Sequence, residues 1–274
     1  AYNMIRNQKK AAYVNTGAWA KKAAKEFSFV GELDIIASSE DKNYSYIPKN
    51  IVAGSDYDFL HITSNNTISG TQYKDFPTSD TPLVCDMSSD IFSRKINVAD
   101  FDIIYAGAQK NMGPAGTAVY IVKESILGNS SIPIPTMLDL NTHYSKDSMF
   151  NTPPVFAIYA SMLNLRWLKK NGGVGHIQNV NEKKATLLYN EIDNNPLFEG
   201  TTAIEDRSTM NATFLLKEAA LTDTFNKMWQ EANISGIKGH RSVGGYRASM
   251  YNALPIESVM ELVNVMKELT EKHG

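Results

Sequence analysis

The 274-residue sequence contains a single cysteine, Cys85. One thiol excludes a disulfide framework and any cysteine-based zinc site, and it fits a reducing compartment. Histidine is also scarce: the five are scattered, with no i, i+4 pair on a helical pattern, so a metal site is not expected. Apolar runs of about 18 residues or more are absent, as is a secretory leader, so the chain is expected to be soluble and cytoplasmic. Charge of one sign is lacking too. The 27 basic and 29 acidic side chains leave a formal net charge of -2. No strong field points to nucleic acid or to an anionic membrane surface. The densest basic group, Glu182 to Lys184, falls in a helical pattern and reads as a solvated face.

What is present is an ordinary globular composition, 43% hydrophobic and 20% charged, on a chain long enough for one large domain or two moderate ones. The opening "AYNMIRNQKK" begins abruptly, without an initial methionine and without a linker. It reads as the end of a helix whose start lies outside the sequence, so the chain is expected to be a fragment or a processed piece.

Short apolar runs recur at 11–17, 33–39, 58–65, 82–90, 102–108 and 117–123, with a helix expected over 18–27. Runs with little in/out alternation predict a mostly parallel sheet covered on both faces, an α/β architecture. The character changes near residue 151. Pro153 and Pro154 make a turn, a helix with apolar Phe156, Met162, Leu163, Trp167 and Leu168 follows, and Gly172 and Gly173 stop it. A second helix over 174–194 and a β-α-β-α succession then predict a smaller α+β domain.

Several unusual residues fall at predicted strand ends, where open α/β sheets bind ligands. Lys110 lies in "DIIYAGAQKNMGPAG" (Asp102 to Gly116) among very small residues. It is either a surface lysine on a turn or an amine with a depressed pKa that acts as a nucleophile. Asp86 ends the run "PLVCD" and is either a helix N-cap or a buried carboxylate awaiting a cation. "TSNNTISG" (Thr63 to Gly70) is a turn or a polar ligand loop, and Trp19 is core or a stacking ring. "KGHRSVGGYRAS" (Lys238 to Ser249) is a solvated loop, or it presents Arg241 and Arg247 to an anion, since a guanidinium fork matches carboxylate and phosphate. A nucleophilic lysine, a buried carboxylate and anion-binding arginines together suit pyridoxal phosphate (PLP) chemistry.

The string "YAGAQKNMGPAG" resembles the cofactor-lysine motif of phosphoserine aminotransferases, PLP-dependent enzymes of fold type I. So do "DMSSDIFSR", "MFNTPP", "DRSTMN" and "KGHRSVGGYRASMYNA", in the family's order and spacing. The resemblance implies a large PLP-binding domain over 1–155, incomplete at its start, and a bridging helix with a small domain over 156–274. It implies that Lys110 forms the Schiff base and shuttles the proton, Asp86 meets the pyridine nitrogen, Trp19 stacks on the ring and Thr67 meets its hydroxyl. Gln109, with Asn151 and Thr152 of a second subunit, would hold the cofactor phosphate. Arg247 would bind the substrate carboxylate, and His240 and Arg241 the substrate phosphate across a homodimer interface. The implied substrates are phosphoserine, 3-phosphohydroxypyruvate, glutamate and 2-oxoglutarate. Two departures accompany the resemblance. The family's Asn-Glu-Thr is Asn65-Asn66-Thr67 here. The family's roughly 80 preceding residues, with a Gly-rich phosphate loop at a helix N-terminus and a His-Arg element, are not in this sequence. The alternative is a non-catalytic, dimer-forming piece of such an enzyme. A cysteine desulfurase relative is rejected, because Cys85 lies inside a strand run rather than on a mobile loop.

Overall fold

The computed structural model describes every residue except Ser242. Its centre is a six-stranded sheet in the order β2-β1-β3-β6-β7-β8. The strands are β1 (Lys10–Asn15), β2 (Glu32–Ser38), β3 (Phe59–Thr63), β6 (Leu83–Asp86), β7 (Ile103–Gly107) and β8 (Ala118–Val122). All neighbouring pairs are parallel except β7 with β8. The central strands are buried almost throughout, because both faces are covered. One face carries Val14, Leu60, Ile62, Cys85 and Ile104, and the other Tyr13, Phe59, Val84 and Ile103.

Helix α1 (Ala18–Phe27) is alanine-rich and places Ala20, Ala24 and Phe27 on its inner face. The Phe27 ring meets Phe59 edge-on at 5.3 Å, and burying it fully is worth about 2–3 kcal/mol. The helix starts at Gly17, where a Cβ would come within 2.8 Å of Asn66 Oδ1. The chain passes from β1 to β2 on one side and then to β3 on the other. The sheet therefore has its switch point between β1 and β3, and the crevice at their carboxyl ends is the expected ligand position.

A second, antiparallel sheet has the order β11-β10-β9, with β9 at Phe198–Gly200, β10 at Asn211–Leu216 and β11 at Tyr246–Ser249. Helices α4 (Gly173–Asn194), α5 (Thr222–Glu231) and α6 (Ile256–His273) complete its separate core, which includes Leu188, Phe198, Phe214, Phe225, Leu262 and Met266. Between the two cores runs α3 (Val155–Lys170), preceded by the short α2 (Leu140–Tyr144). Of the apolar positions expected on α3, Leu168 is buried, whereas Phe156, Leu163 and Trp167 face outward.

A small hairpin, β4 (Asn65–Asn66) with β5 (Thr71–Gln72), joins the two bodies. Ser208 N–H donates to Gly70 O at 2.8 Å, and Asn65 Nδ2 donates to Asn211 Oδ1 at 2.9 Å. The solvated face expected over Glu182 to Lys184 holds for two residues and fails for the third, and the opening expected as a helix end is a 3-10 turn at Tyr2–Met4 leading to strand β1. Glu182 and Lys183 are exposed, but Lys184 is fully buried, its ammonium donating to the carbonyls of Met250, Tyr251 and Leu254 at 2.9–3.1 Å.

Candidate active site

The parallel register places Thr63, Asp86 and Tyr105 side by side at the strand ends. Asp86 closes β6. The Ser88 backbone N–H donates to its Oδ1 at 2.9 Å, and the Ser64 hydroxyl donates to its backbone carbonyl at 3.0 Å. Burial raises the Asp86 carboxyl above the usual carboxylate range, while the Ser88 bonds and the Lys110 charge pull it back. No helix follows; Asp86 caps a turn.

Lys110 sits in the turn after β7. Its Nζ donates to Thr67 Oγ1 at 3.1 Å. Burial lowers its pKa, the Asp86 charge opposes that shift and the Arg247 charge adds to it. Only the neutral amine is a nucleophile, and a lowered pKa makes that form easier to reach. Thr67, nearly buried, also accepts through its carbonyl from Arg247 Nη1 at 3.4 Å. Arg247 projects from β11, and its Nε is buried with no hydrogen-bond partner among the described residues. Lysine, hydroxyl and guanidinium, drawn from three elements, thus converge, with Asp86 close enough to act on the lysine electrostatically.

The other expected residues are distributed less tightly. Trp19 opens α1 at the carboxyl end of β1, half exposed, with Lys22 Nζ 4.7 Å from its ring centre; it is not core. Gln109 is exposed, and its amide lies against Gly107, where a Cβ would meet Oε1 at 2.5 Å. Asn151 and Thr152 are exposed just before α3, where Asn151 Nδ2 donates to Thr152 O at 3.1 Å. His240 and Arg241 are exposed in the loop before β11, next to the undescribed Ser242. No hydrogen bond among the described residues links these four to Lys110.

A cavity of about 860 Å³ lies beneath the face carrying Tyr13, His61 and Tyr105; it includes Asn151 but neither Lys110 nor Asp86. Chemistry rather than volume therefore identifies the site. Residues missed in the sequence support it from below. Asp90 is buried and accepts from the Ser64 hydroxyl, from Gln72 Nε2 at 3.3 Å and from Arg94 Nη2 at 3.2 Å. The signal for that pair was its i, i+4 spacing.

The aminotransferase class-V family profile matches residues 1–262. The chain belongs to the class-V aminotransferases, among the phosphoserine aminotransferases. The phosphoserine aminotransferase of Flavobacterium psychrophilum is 60% identical over 271 residues, a match covering 99% of this chain and 76% of that protein. The solved phosphoserine aminotransferase from Bacillus circulans subsp. alkalophilus superposes with a TM-score of 0.93 at 44% identity, covering 97% of this chain and 74% of that one. A PLP-bound phosphoserine aminotransferase from Trichomonas vaginalis gives 0.91 at 33% identity, covering 97% and 77%. This class-V aminotransferase keeps the α/β fold of those structures, with Asp86 at the carboxyl end of β6, Lys110 after that of β7, and Arg247 reaching Thr67 from the second sheet.

Proposed function

We propose that the chain catalyses PLP-dependent, reversible transfer of an amino group from glutamate to 3-phosphohydroxypyruvate, giving phosphoserine and 2-oxoglutarate in serine biosynthesis. The observation that carries this reading is the convergence of Lys110, Thr67 and Arg247 beside Asp86. The donor set fits PLP. A readily deprotonated amine suits an aldehyde, and a carboxylate raised by burial suits a protonated ring nitrogen. The orphaned Arg247 Nε suits an anionic oxygen.

When bound, PLP supplies the electron sink that makes the substrate Cα–H acidic. The chain's residues do the rest. Lys110 Nζ would hold the cofactor's aldehyde carbon and would serve as the base at the substrate carbon. Asp86 would hold a proton at the ring nitrogen. Thr67 would hydrogen-bond the ring hydroxyl, and Trp19 would pack against the ring. Gln109 holds the phosphate, with Asn151 and Thr152 of a second copy. Arg247 fixes the α-carboxylate, and His240 and Arg241 read the substrate phosphate across the dimer. Residues 1–155 form the large lobe and 156–274 the bridging helix and small lobe, a division supported by their separate apolar cores. The proposed compartment is the cytoplasm; among the described residues no helix is long and apolar enough to cross a membrane.

The test is a PLP titration with a coupled glutamate assay on wild type and Lys110→Ala. Wild type should develop a visible band that borohydride abolishes. Lys110→Ala should lose both the band and at least about 10³-fold of the activity, because no neighbour replaces both anchor and base. Near-normal turnover in Lys110→Ala would place the reactive amine elsewhere.

A further inference from the structure

The residue after the proposed reactive lysine begins a buried polar chain that plays no part in the chemistry described above. Asn111 is nearly inaccessible. Its Nδ2 donates to Ile91 O at 3.1 Å, and its Oδ1 accepts from the backbone N–H of Asn252 at 3.1 Å. Asn252 in turn donates through Nδ2 to Phe92 O at 3.0 Å and accepts at Oδ1 from Asn181 Nδ2 at 2.9 Å. Asn181 also reaches Ser93 O at 3.1 Å. One turn further along α4, Lys184 binds the carbonyls of Met250, Tyr251 and Leu254. From the other side, Asn164 of α3 donates to the carbonyls of Asn111 and Met112 at 3.0 and 2.9 Å.

These bonds run mainly to backbone, and they join three backbone segments. One is the loop Ile91–Ser93, after the strand of Asp86. Another is the lysine turn. The third is Met250–Leu254, directly after the strand of Arg247. The carbonyl of Phe92 that Asn252 engages belongs to a residue with left-handed backbone (φ 59°), a conformation unfavourable for a non-glycine residue. Apolar side chains would fill the same space with less desolvation. They would not specify which carbonyl meets which donor, whereas a directional network fixes register.

We propose that Asn111, Asn181, Lys184 and Asn252 are positioning residues that lock the Arg247 strand to the Lys110 turn and so set the spacing between substrate carboxylate and reactive amine. The inference rests on the roles proposed above for Lys110 and Arg247. It makes a specific demand. Cofactor attachment needs only the lysine side of the lock, whereas binding of every amino-acid substrate needs both sides.

The experiment uses the full-length protein loaded with PLP, with Asn252→Ala, Asn181→Ala and Lys184→Met. Cofactor occupancy is read from the visible band, KM and kcat are measured for glutamate and for phosphoserine, and the Kd of a non-reacting dicarboxylate, maleate, is measured by titration. Asn252→Ala should keep its cofactor band while both KM values and the maleate Kd rise together by about tenfold, with kcat falling less, because a displacement near 1 Å is enough to weaken a bidentate contact. A merely structural role would lower thermal stability or occupancy and leave KM unmoved in the loaded fraction. Unchanged KM values at full occupancy would overturn the proposal, as would a loss confined to phosphoserine. Should Asn252→Ala fail to fold, Asn181→Ala removes one side-chain partner from a helix that tolerates alanine and should give the same coupled rise at about threefold. Lys110→Ala separates the two levels. A retained band there would sink the active-site reading itself. A lost band there, with normal KM in Asn252→Ala, would sink only the lock.

Discussion

At the scale of single residues, the proposed site places its charges where water is scarce. Lys110 is held below its ordinary value of 10.5 by burial and by the Arg247 charge, against the pull of Asp86. Only the neutral amine attacks an aldehyde. The rate of PLP capture by cofactor-free protein should therefore rise with pH through the lowered pKa and level off before pH 10.5. In Arg247→Met the plateau should move to higher pH, since a repelling cation is gone. A stopped-flow series following the visible band checks both; a wild-type rate still climbing above pH 10.5 would contradict the lowered pKa. The arginines should separate in the same way. Arg247→Lys should weaken glutamate and phosphoserine alike by about tenfold, because an ammonium cannot reproduce the guanidinium fork. Arg241→Ala should weaken phosphoserine much more than glutamate, and equal losses in steady-state KM would remove its phosphate-reading role. Lys110 and Asp86 were legible in the sequence because each follows a short apolar run, where a charge is conspicuous. Asn111 was not, because an amide beside a lysine looks like any turn residue until its partners, which come from distant segments, are known.

At the scale of elements, legibility followed locality. Helix α1 was readable as the helical stretch over 18–27, and α4 as the second helix over 174–194, one residue short of its observed start. Strand β9 has three residues and no periodicity to find. The burial of Lys184 was misread because i, i+3 spacing says which face a residue shares but not what meets that face. Three backbone carbonyls from a segment more than 60 residues away make the buried ammonium tolerable. The hairpin β4–β5 was read as polar, but its use as a joint between the sheets was hidden. Gly70 turns it with φ 74°, and a Cβ there would meet Thr213 Oγ1 at 2.6 Å and Asn211 O at 2.9 Å. Gly70→Ala should accordingly destabilise the protein by about 1–3 kcal/mol through backbone strain and a clash across the joint. Since Thr67 lies in the same loop, cofactor affinity should fall with it. Urea unfolding and a PLP titration would show whether the two losses occur together.

At the scale of the whole molecule, what one chain leaves uncovered becomes the argument for a second. Met149, Phe150, Val155, Phe156 and Tyr159 are all exposed at 42–76%, grouped around Asn151 and Thr152. Five large apolar side chains exposed within eleven residues of sequence suit an interaction surface. The occupant we propose is another copy of the chain. Asn151 and Thr152 have no link to Lys110 of their own chain, yet they occupy the positions that the resemblance gives to phosphate ligands of the partner's cofactor. A symmetric interface would carry each pair to the other site, so assembly and cofactor affinity should fail together. Phe156→Glu tests this directly. A carboxylate at the centre of the patch would be desolvated on association with no cation among its apolar neighbours, and the variant should run as a monomer in sedimentation. Its Kd for PLP should rise by about tenfold or more although Phe156 lies on none of the elements that carry Lys110, Asp86 or Thr67, and the effect should shrink as protein concentration is raised. A monomeric variant that bound PLP as tightly as wild type would show that each site is complete within one chain, and would remove Asn151 and Thr152 from it.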